Sequence, residues 1–131
     1  MGDLMDFREP NQVKWVGARP GHNGTQVLAG VRTAVLNWTI LYTVPAGKTL
    51  FLTHTFLSSS NAISSTILMA VYDTTPVLWQ YLLGNYSQTN TSTPPTIANY
   101  WPPIEIPTGY TVQIYQVIDC GLMGTIHGWE E

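Results

Sequence analysis

The chain is poor in cysteine and in charge. Cys120 is the only cysteine among 131 residues, so no disulfide within the chain can stabilise the fold and no cysteine cluster can bind zinc or an iron–sulfur centre. Charged residues make up only 10% of the chain, against about 25% in an average soluble domain. With five basic residues and a net charge of −3, the chain has little with which to neutralise phosphates. This composition argues against nucleic-acid binding.

Long apolar segments are missing as well. No run reaches the ~20 apolar residues of a membrane span. The N-terminal sequence MGDLMDFREPNQVKW has mixed charge and no apolar core segment. The sequence therefore predicts neither a secretory signal nor a membrane segment. We expect synthesis in a cytoplasm and no membrane partner.

Motifs for catalysis and metal binding are also lacking. The three histidines, His22, His54 and His127, form no His-x-His or His-x-x-x-His pair, and an open metal site on a jelly roll of the cupin type would need the first of these. The chain contains no Gly-x-Ser-x-Gly sequence, and Cys120 has no adjacent base. We interpret Cys120 as a small buried thiol. The sequence thus predicts a protein that is not an enzyme and that uses no metal or cofactor.

The carboxylates and histidines have structural explanations. Asp73, Glu105 and Asp119 lie in separate stretches near predicted strand ends or turns, and no spacing pairs them for glycoside hydrolysis. His54 shares a period-two face with apolar residues of its own strand, which favours a hydrogen-bonded role in the core or at an interface. A jelly-roll enzyme without metal would need His54 or His127 to meet a carboxylate in a pocket, and it remains the third hypothesis.

From Thr33 onward, what is present is a hydrophobic pattern with a period of two, which is typical of β-strands. The turn at 45–48 separates a first long strand from a second at 49–58, and we predict that the two pair as a hairpin. Further strands are predicted at 65–73, 77–83, 97–106, 110–119 and 122–129, with an exposed loop at 84–95. The face of the first strand that we expect to be buried contains Ala34, Leu36, Trp38, Ile40, Tyr42 and Val44.

The number and spacing of these strands predict an all-β fold, an antiparallel β-sandwich of jelly-roll type with about eight strands. The pattern aliphatic-Pro-x-Gly-x-Thr-aliphatic occurs twice, at 44–50 and 106–112, as two Greek keys in one sandwich would produce. Pro102 and Pro103 place the strand at 97–106 on a sheet edge or at a change of sheet.

The strand predicted at 65–73 is apolar on both faces. A second surface should therefore cover it, and another subunit or a docking partner would supply that surface. The alternative is that the loop at 84–95 covers the strand, and the sequence leaves both possibilities open. Trp38 and Trp79 lie in apolar stretches and are expected to pack in the core.

Residues 1–24 are predicted to form an extended N-terminal arm, followed by the sandwich domain at 25–131. Residues 1–32 have four basic and three acidic side chains, whereas residues 33–131 have one basic and five acidic side chains, so the arm can reach an acidic neighbour, including the next subunit. An exposed Trp with basic flanks is typical of an interface hot spot, although Trp15 can instead fold back onto its own sandwich. The candidate partner-binding residues are Arg8, Lys14, Trp15, Arg19 and His22.

Two segments, YTVPAGKTLFLT and PIEIPTGYTVQIYQ, resemble those of small jelly-roll structural proteins of tailed-phage virions, of the capsid-decoration and head-fibre type. The resemblance implies a homotrimer that sits on a virion, binds a major capsid or other virion protein, and holds its neighbours through an N-terminal arm. It implies no catalytic residues. A virion structural protein is therefore our first functional hypothesis.

The second hypothesis is a carbohydrate-binding module or receptor-binding adhesin tip. In such a protein, exposed aromatic residues stack on sugar rings beside Asn and Gln hydrogen-bonding groups. The outer surface would then bind a glycan. The candidate stacking residues are Tyr86, Tyr100 and Trp101.

Overall fold

Eight antiparallel strands account for nearly all regular structure in the part of the chain that is described. The computed structural model describes residues 24–61, 63–87 and 96–131, and it contains no helix in these ranges. The strands are β1 (Thr25–Thr33), β2 (Asn37–Thr43), β3 (Leu50–Ser59), β4 (Ser65–Tyr72), β5 (Leu78–Ser87), β6 (Thr96–Ile106), β7 (Thr111–Gln116) and β8 (Leu122–Glu130).

The strands form two four-stranded sheets that pack face to face. The first sheet has the order β1-β8-β3-β6 and the second has the order β2-β7-β4-β5. Every connection except that between β4 and β5 crosses from one sheet to the other, and the pairs 1–8, 2–7, 3–6 and 4–5 are nested as in a jelly roll. The predicted sandwich is confirmed. The predicted hairpin of the first two stretches is wrong, because β2 and β3 lie in different sheets.

The two matching turns of the sequence meet at one end of the sandwich. In each turn, the residue after the glycine donates a 3.2 Å hydrogen bond to the proline carbonyl. Gly47 and Gly109 have φ values of 74° and 82°, a region in which glycine carries no steric penalty. Val44 N–H donates to the Tyr110 carbonyl, and Gly109 N–H donates to the Val44 carbonyl, both at 2.9 Å. The repeated motif therefore joins the ends of β2 and β7.

The core lies between the sheets and is built from alternate residues of the strands. In β4, for example, Ile67, Met69 and Val71 point inward and are fully buried. The other large side chains of the core that are fully buried include Leu50, Leu52, Leu57, Ile106, Ile114, Leu122 and Ile126.

A buried glutamine closes the end of the core opposite the matching turns. Gln116 is fully buried, and its Nε2 donates to the carbonyls of Thr33 (3.2 Å) and Val35 (2.9 Å). Its Oε1 accepts from the backbone N–H of Cys120 at 3.0 Å. Gln116 thus ties together the β1–β2 and β7–β8 connections. Cys120 is a buried thiol, as predicted.

The buried face predicted around β2 is wrong in part. Ala34, Leu36 and Ile40 are exposed. The pairing of β2 with β7 shifts register between Ile40 and Tyr42, so that Leu41 and Tyr42 both pack against the core. A β-bulge changes which face a side chain occupies, and strict alternation cannot reveal it.

The strand that contains Pro102 and Pro103 is the edge strand β6, as predicted. Its ladder with β3 is interrupted between Asn99 and Ile104, so the prolines need no ladder hydrogen bond. Two other boundaries differ from expectation. Residues 25–33 form β1, which the sequence did not predict as a strand, and residues 84–87 continue β5 instead of beginning a loop.

Candidate functional site

Residues 1–23 of the predicted arm lie outside the described residues. All five candidate partner-binding residues lie outside the described residues, so their role stays a prediction. The same holds for residues 88–95 of the loop predicted at 84–95, which was the candidate cover for β4. The residues of the arm concerned are Arg8, Lys14, Trp15, Arg19 and His22.

The outer face of the second sheet is rich in aromatic residues. The Trp38 ring lies 4.9 Å from the ring of Tyr72 and 4.9 Å from that of Tyr115. The register places Trp38 opposite Tyr115, and Tyr115 opposite Leu68. Ile40 and Tyr81 are 54% and 57% exposed. We call this surface the aromatic face; its residues are Trp38, Ile40, Leu68, Tyr72, Tyr81 and Tyr115.

Two tryptophans, Trp38 and Trp79, were expected to pack in the core and do not. Trp38 packs on the outside of the second sheet and not between the sheets, and Trp79 is 42% exposed, with its ring 5.4 Å from that of Tyr110. The outward side of β4 is covered partly by its own neighbours, since Ala70 is fully buried. Burial, followed by the neighbouring Tyr81 and then Tyr115, raises the pKa of Tyr72.

The second sheet carries no charge at all. Its four strands contain no Asp, Glu, Lys, Arg or His. The first sheet, by contrast, contains ionisable residues in every strand. The two outer surfaces of the sandwich therefore differ in chemistry. The Asp, Glu, Lys, Arg and His residues of the first sheet are Arg32, His54, Glu105, His127 and Glu130.

The outer face of the first sheet brings together two histidines. His54 lies directly opposite His127 in the ladder between β3 and β8. This placement corrects the expectation that His54 shares a face with Leu50 and Leu52, because the register shifts between Leu52 and His54. The two leucines point into the core, whereas His54 is half-buried on the outer surface and hydrogen-bonds Asn99 at 2.7 Å. Sequence spacing gave no signal for this pair, because the bulge and the strand pairing both had to be known.

Two of the acids that the sequence placed in separate stretches, Asp73 and Asp119, accept hydrogen bonds within the connections between strands. The Asp73 carboxylate accepts hydrogen bonds from the Thr75 hydroxyl (2.6 Å) and from the backbone N–H groups of Thr75 and Val77 (2.8 Å each). These bonds, the hydroxyl first, lower the pKa of Asp73. Asp119 accepts from the Gly121 N–H at 3.1 Å. Within the described ranges, no group of three or more His, Cys, Asp or Glu is placed to hold a metal ion.

The candidate glycan-stacking residues are in different environments. Trp101 is 66% exposed on the edge strand β6. Tyr100 is half-buried and packs against the core, and its hydroxyl lies 3.0 Å from Thr55 Oγ1. Burial raises the pKa of Tyr100. Tyr100 is therefore not a free stacking platform, and the side chain of Tyr86 lies outside what the structure describes.

No protein-family model matches the chain, and no curated protein matches it. Among the described residues, no helix is long and apolar enough to span a membrane.

Proposed function

We propose that this protein is a structural protein of a virion, of the capsid-decoration type, which works as a homo-oligomer and not as an enzyme. The observation that carries the proposal is the aromatic face, a charge-free sheet surface with exposed Ile40 and Tyr81. An exposed apolar patch on a soluble domain is typical of an interaction site. Tyrosine and tryptophan are enriched in such interfaces.

The occupant that best fits the aromatic face is a second copy of the chain. A charged partner finds no complementary charge on this sheet. A second copy offers an equally uncharged surface, and although the chain has a net charge of −3, contact through this sheet brings no like charges together. Closed homo-oligomers are the commonest assemblies of soluble proteins. The homotrimer is the form implied by the resemblance to phage proteins.

The virion assignment rests on that resemblance and on the fold. Jelly rolls are a common architecture of viral capsid proteins. The two resembling segments contain the turns that meet through Val44 and Tyr110. In this proposal the partner is a major capsid or other virion protein, bound by residues 1–24, and the sandwich faces outward.

Light scattering of the full chain tests the oligomer. We expect a stable trimer. Ile40→Glu places a charge on the aromatic face and should give a monomer, whereas Leu28→Glu, at a 73% exposed position of the first sheet, should remain trimeric. Far-UV circular dichroism checks that both variants fold. A monomeric wild type would overturn the homo-oligomer, and a trimeric Ile40→Glu would remove the aromatic face as the contact.

Mass spectrometry of purified particles tests the virion assignment. The chain should be present at a fixed ratio to the major capsid protein, and its absence from particles would overturn the proposal. Deleting residues 1–24 should abolish particle binding without unfolding the sandwich. If the shortened chain still saturates the particle, the role of the arm is wrong.

The exposure of Trp101 favours glycan binding as a second candidate function. An aromatic ring on an exposed edge strand can stack on a sugar. A glycan array should then show binding that Trp101→Ala abolishes, with Trp79→Ala as the control for loss of an exposed Trp. A silent array would contradict this function.

A further inference from the structure

Each of the two opposed histidines on the first sheet contacts a side-chain amide. His54 Nδ1 lies 2.7 Å from the Asn99 oxygen Oδ1. His127 Nε2 lies 2.9 Å from the Gln26 nitrogen Nε2. These contacts come from the two outer strands of the first sheet, so that Gln26 on β1 and Asn99 on β6 flank the histidine pair.

The amide group at each histidine indicates whether the ring nitrogen that contacts it donates or accepts the hydrogen bond. An amide oxygen only accepts, so His54 Nδ1 donates, and in the neutral ring its Nε2 keeps a lone pair. An amide NH2 group only donates, so His127 Nε2 is the acceptor and keeps its lone pair as well. In their neutral form, both imidazoles therefore keep a lone pair on Nε2. A ring nitrogen in this state is the form of histidine that binds a metal ion.

The pairing also places the two side chains next to each other on one face of the sheet. Directly opposite residues of antiparallel strands have Cβ atoms about 4.5–5.5 Å apart. Two nitrogens bound at about 2.0–2.1 Å to a tetrahedral ion are roughly 3.3 Å apart, a separation that two imidazoles on such Cβ atoms can span. The Asn99 oxygen at His54 Nδ1 matches the outer hydrogen bond that orients most metal-binding histidines.

We propose that His54 and His127 form a binding site for a divalent transition-metal ion of the kind that prefers imidazole, such as Cu²⁺, Ni²⁺ or Zn²⁺. The ion binds Nε2 of both rings and displaces the Gln26 amide from His127. No group of three His, Cys, Asp or Glu side chains is available among the described residues, so water occupies the remaining positions. The site lies on the sheet opposite the aromatic face and does not depend on the proposed function.

Isothermal titration of the full chain with CuCl₂, in a buffer that does not chelate copper, tests the site. We expect one ion per chain, and we expect His54→Gln and His127→Gln each to weaken binding at least tenfold. His22→Gln is the matched control and should leave binding unchanged. The electron paramagnetic resonance spectrum of the wild-type complex should show two nitrogen ligands. Binding that survives either His54→Gln or His127→Gln, or that is lost with His22→Gln, overturns the proposal.

The two amides give a sharper test of the geometry. Asn99→Ala removes the group that orients His54 and should weaken copper binding about tenfold, the lower end of what such outer contacts contribute. Gln26→Ala removes a donor that competes with the ion, so it should leave the affinity unchanged or raise it. Weaker binding by Gln26→Ala, or unchanged binding by Asn99→Ala, contradicts the assigned ring states and overturns the two-nitrogen site.

Discussion

The hydroxyl of Tyr42 donates a hydrogen bond to the carboxylate of Glu130, and this contact joins β2 of the second sheet to β8 of the first. Burial first, and then the hydrogen bond and the charge of Glu130, raise the pKa of Tyr42 to about 12. An unfolded tyrosine ionises near pH 10. The folded state therefore holds this proton more tightly than the unfolded state, and stability that is fully present below about pH 10 is lost as the pH rises through about 12.

Tyr42→Phe should make stability less dependent on alkaline pH. The free energy of unfolding of the wild type should fall more steeply between about pH 10 and pH 12 than that of Tyr42→Phe. Urea unfolding followed by tryptophan fluorescence at several pH values measures both slopes. Tyr81→Phe, whose hydroxyl lies outside this contact, is the control. Equal slopes for the wild type and Tyr42→Phe would show that the contact does not control the titration.

Gln116→Ala should strongly destabilise the fold. The substitution leaves a cavity and removes the partner of two backbone carbonyls and of the Cys120 N–H, which together should cost roughly 2–4 kcal/mol. Gln113→Ala on the same strand is the control. Gln113 is half-buried and donates to Thr111 Oγ1, so its loss should cost less than about 1 kcal/mol. Similar midpoints for the two variants in urea would argue against the bridging role of Gln116.

Gly121→Ala should cost more stability than Gly47→Ala. Both glycines have positive φ, 68° for Gly121 and 74° for Gly47. Backbone strain should therefore lower the stability of both variants by about 1–2 kcal/mol. An added Cβ at Gly121 would also overlap Ser60 Oγ, whereas at Gly47 it meets nothing within 4 Å. The overlap should add about 1–3 kcal/mol. Thermal unfolding of the two variants side by side isolates the overlap, and equal losses would contradict it.

Salt should have little effect on the proposed oligomer. Because the aromatic face has no charged residue, screening of charge cannot weaken a contact made through it. Light scattering in about 0.05 M and about 1 M NaCl should give the same mass, since the Debye length falls from over 10 Å to about 3 Å over this range. Dissociation at high salt would indicate an interface that contains charged residues of the first sheet.

The period-two pattern was enough to predict the fold class, because alternate residues of a sandwich strand are buried. Ile67, Met69 and Val71 of β4 are an example. The edge position of β6 also followed from the sequence, because proline cannot complete a central ladder. The strand β1 was missed because Leu28 and Gly30 occupy outward positions, so apolar and polar residues do not alternate along it although burial does. A local pattern also cannot show that β2 and β3 belong to different sheets.

The surfaces were harder to predict than the core for a specific physical reason. An apolar residue on the outside of a sheet has the same local pattern as one on the inside, so Trp38 was expected in the core. The bulges before His54 and Tyr42 each shift the alternation by one residue, and one residue is enough to exchange the two faces. The histidine pair and the aromatic face thus both depend on register, which requires the three-dimensional structure.

The position of β8 has a consequence for the order in which the protein is made. Residues 122–130 pair with β1 on one side and with β3 on the other, so β1 has no hydrogen-bonded neighbour in its sheet until they arrive. When β1 to β7 have emerged from the ribosome, β1 is therefore still unpaired. The first sheet then lacks the strand that lies between β1 and β3. Such exposed strands associate readily with other chains. Completion of the sheet, and with it protection of the nascent chain, waits for the emergence of residues 122–130.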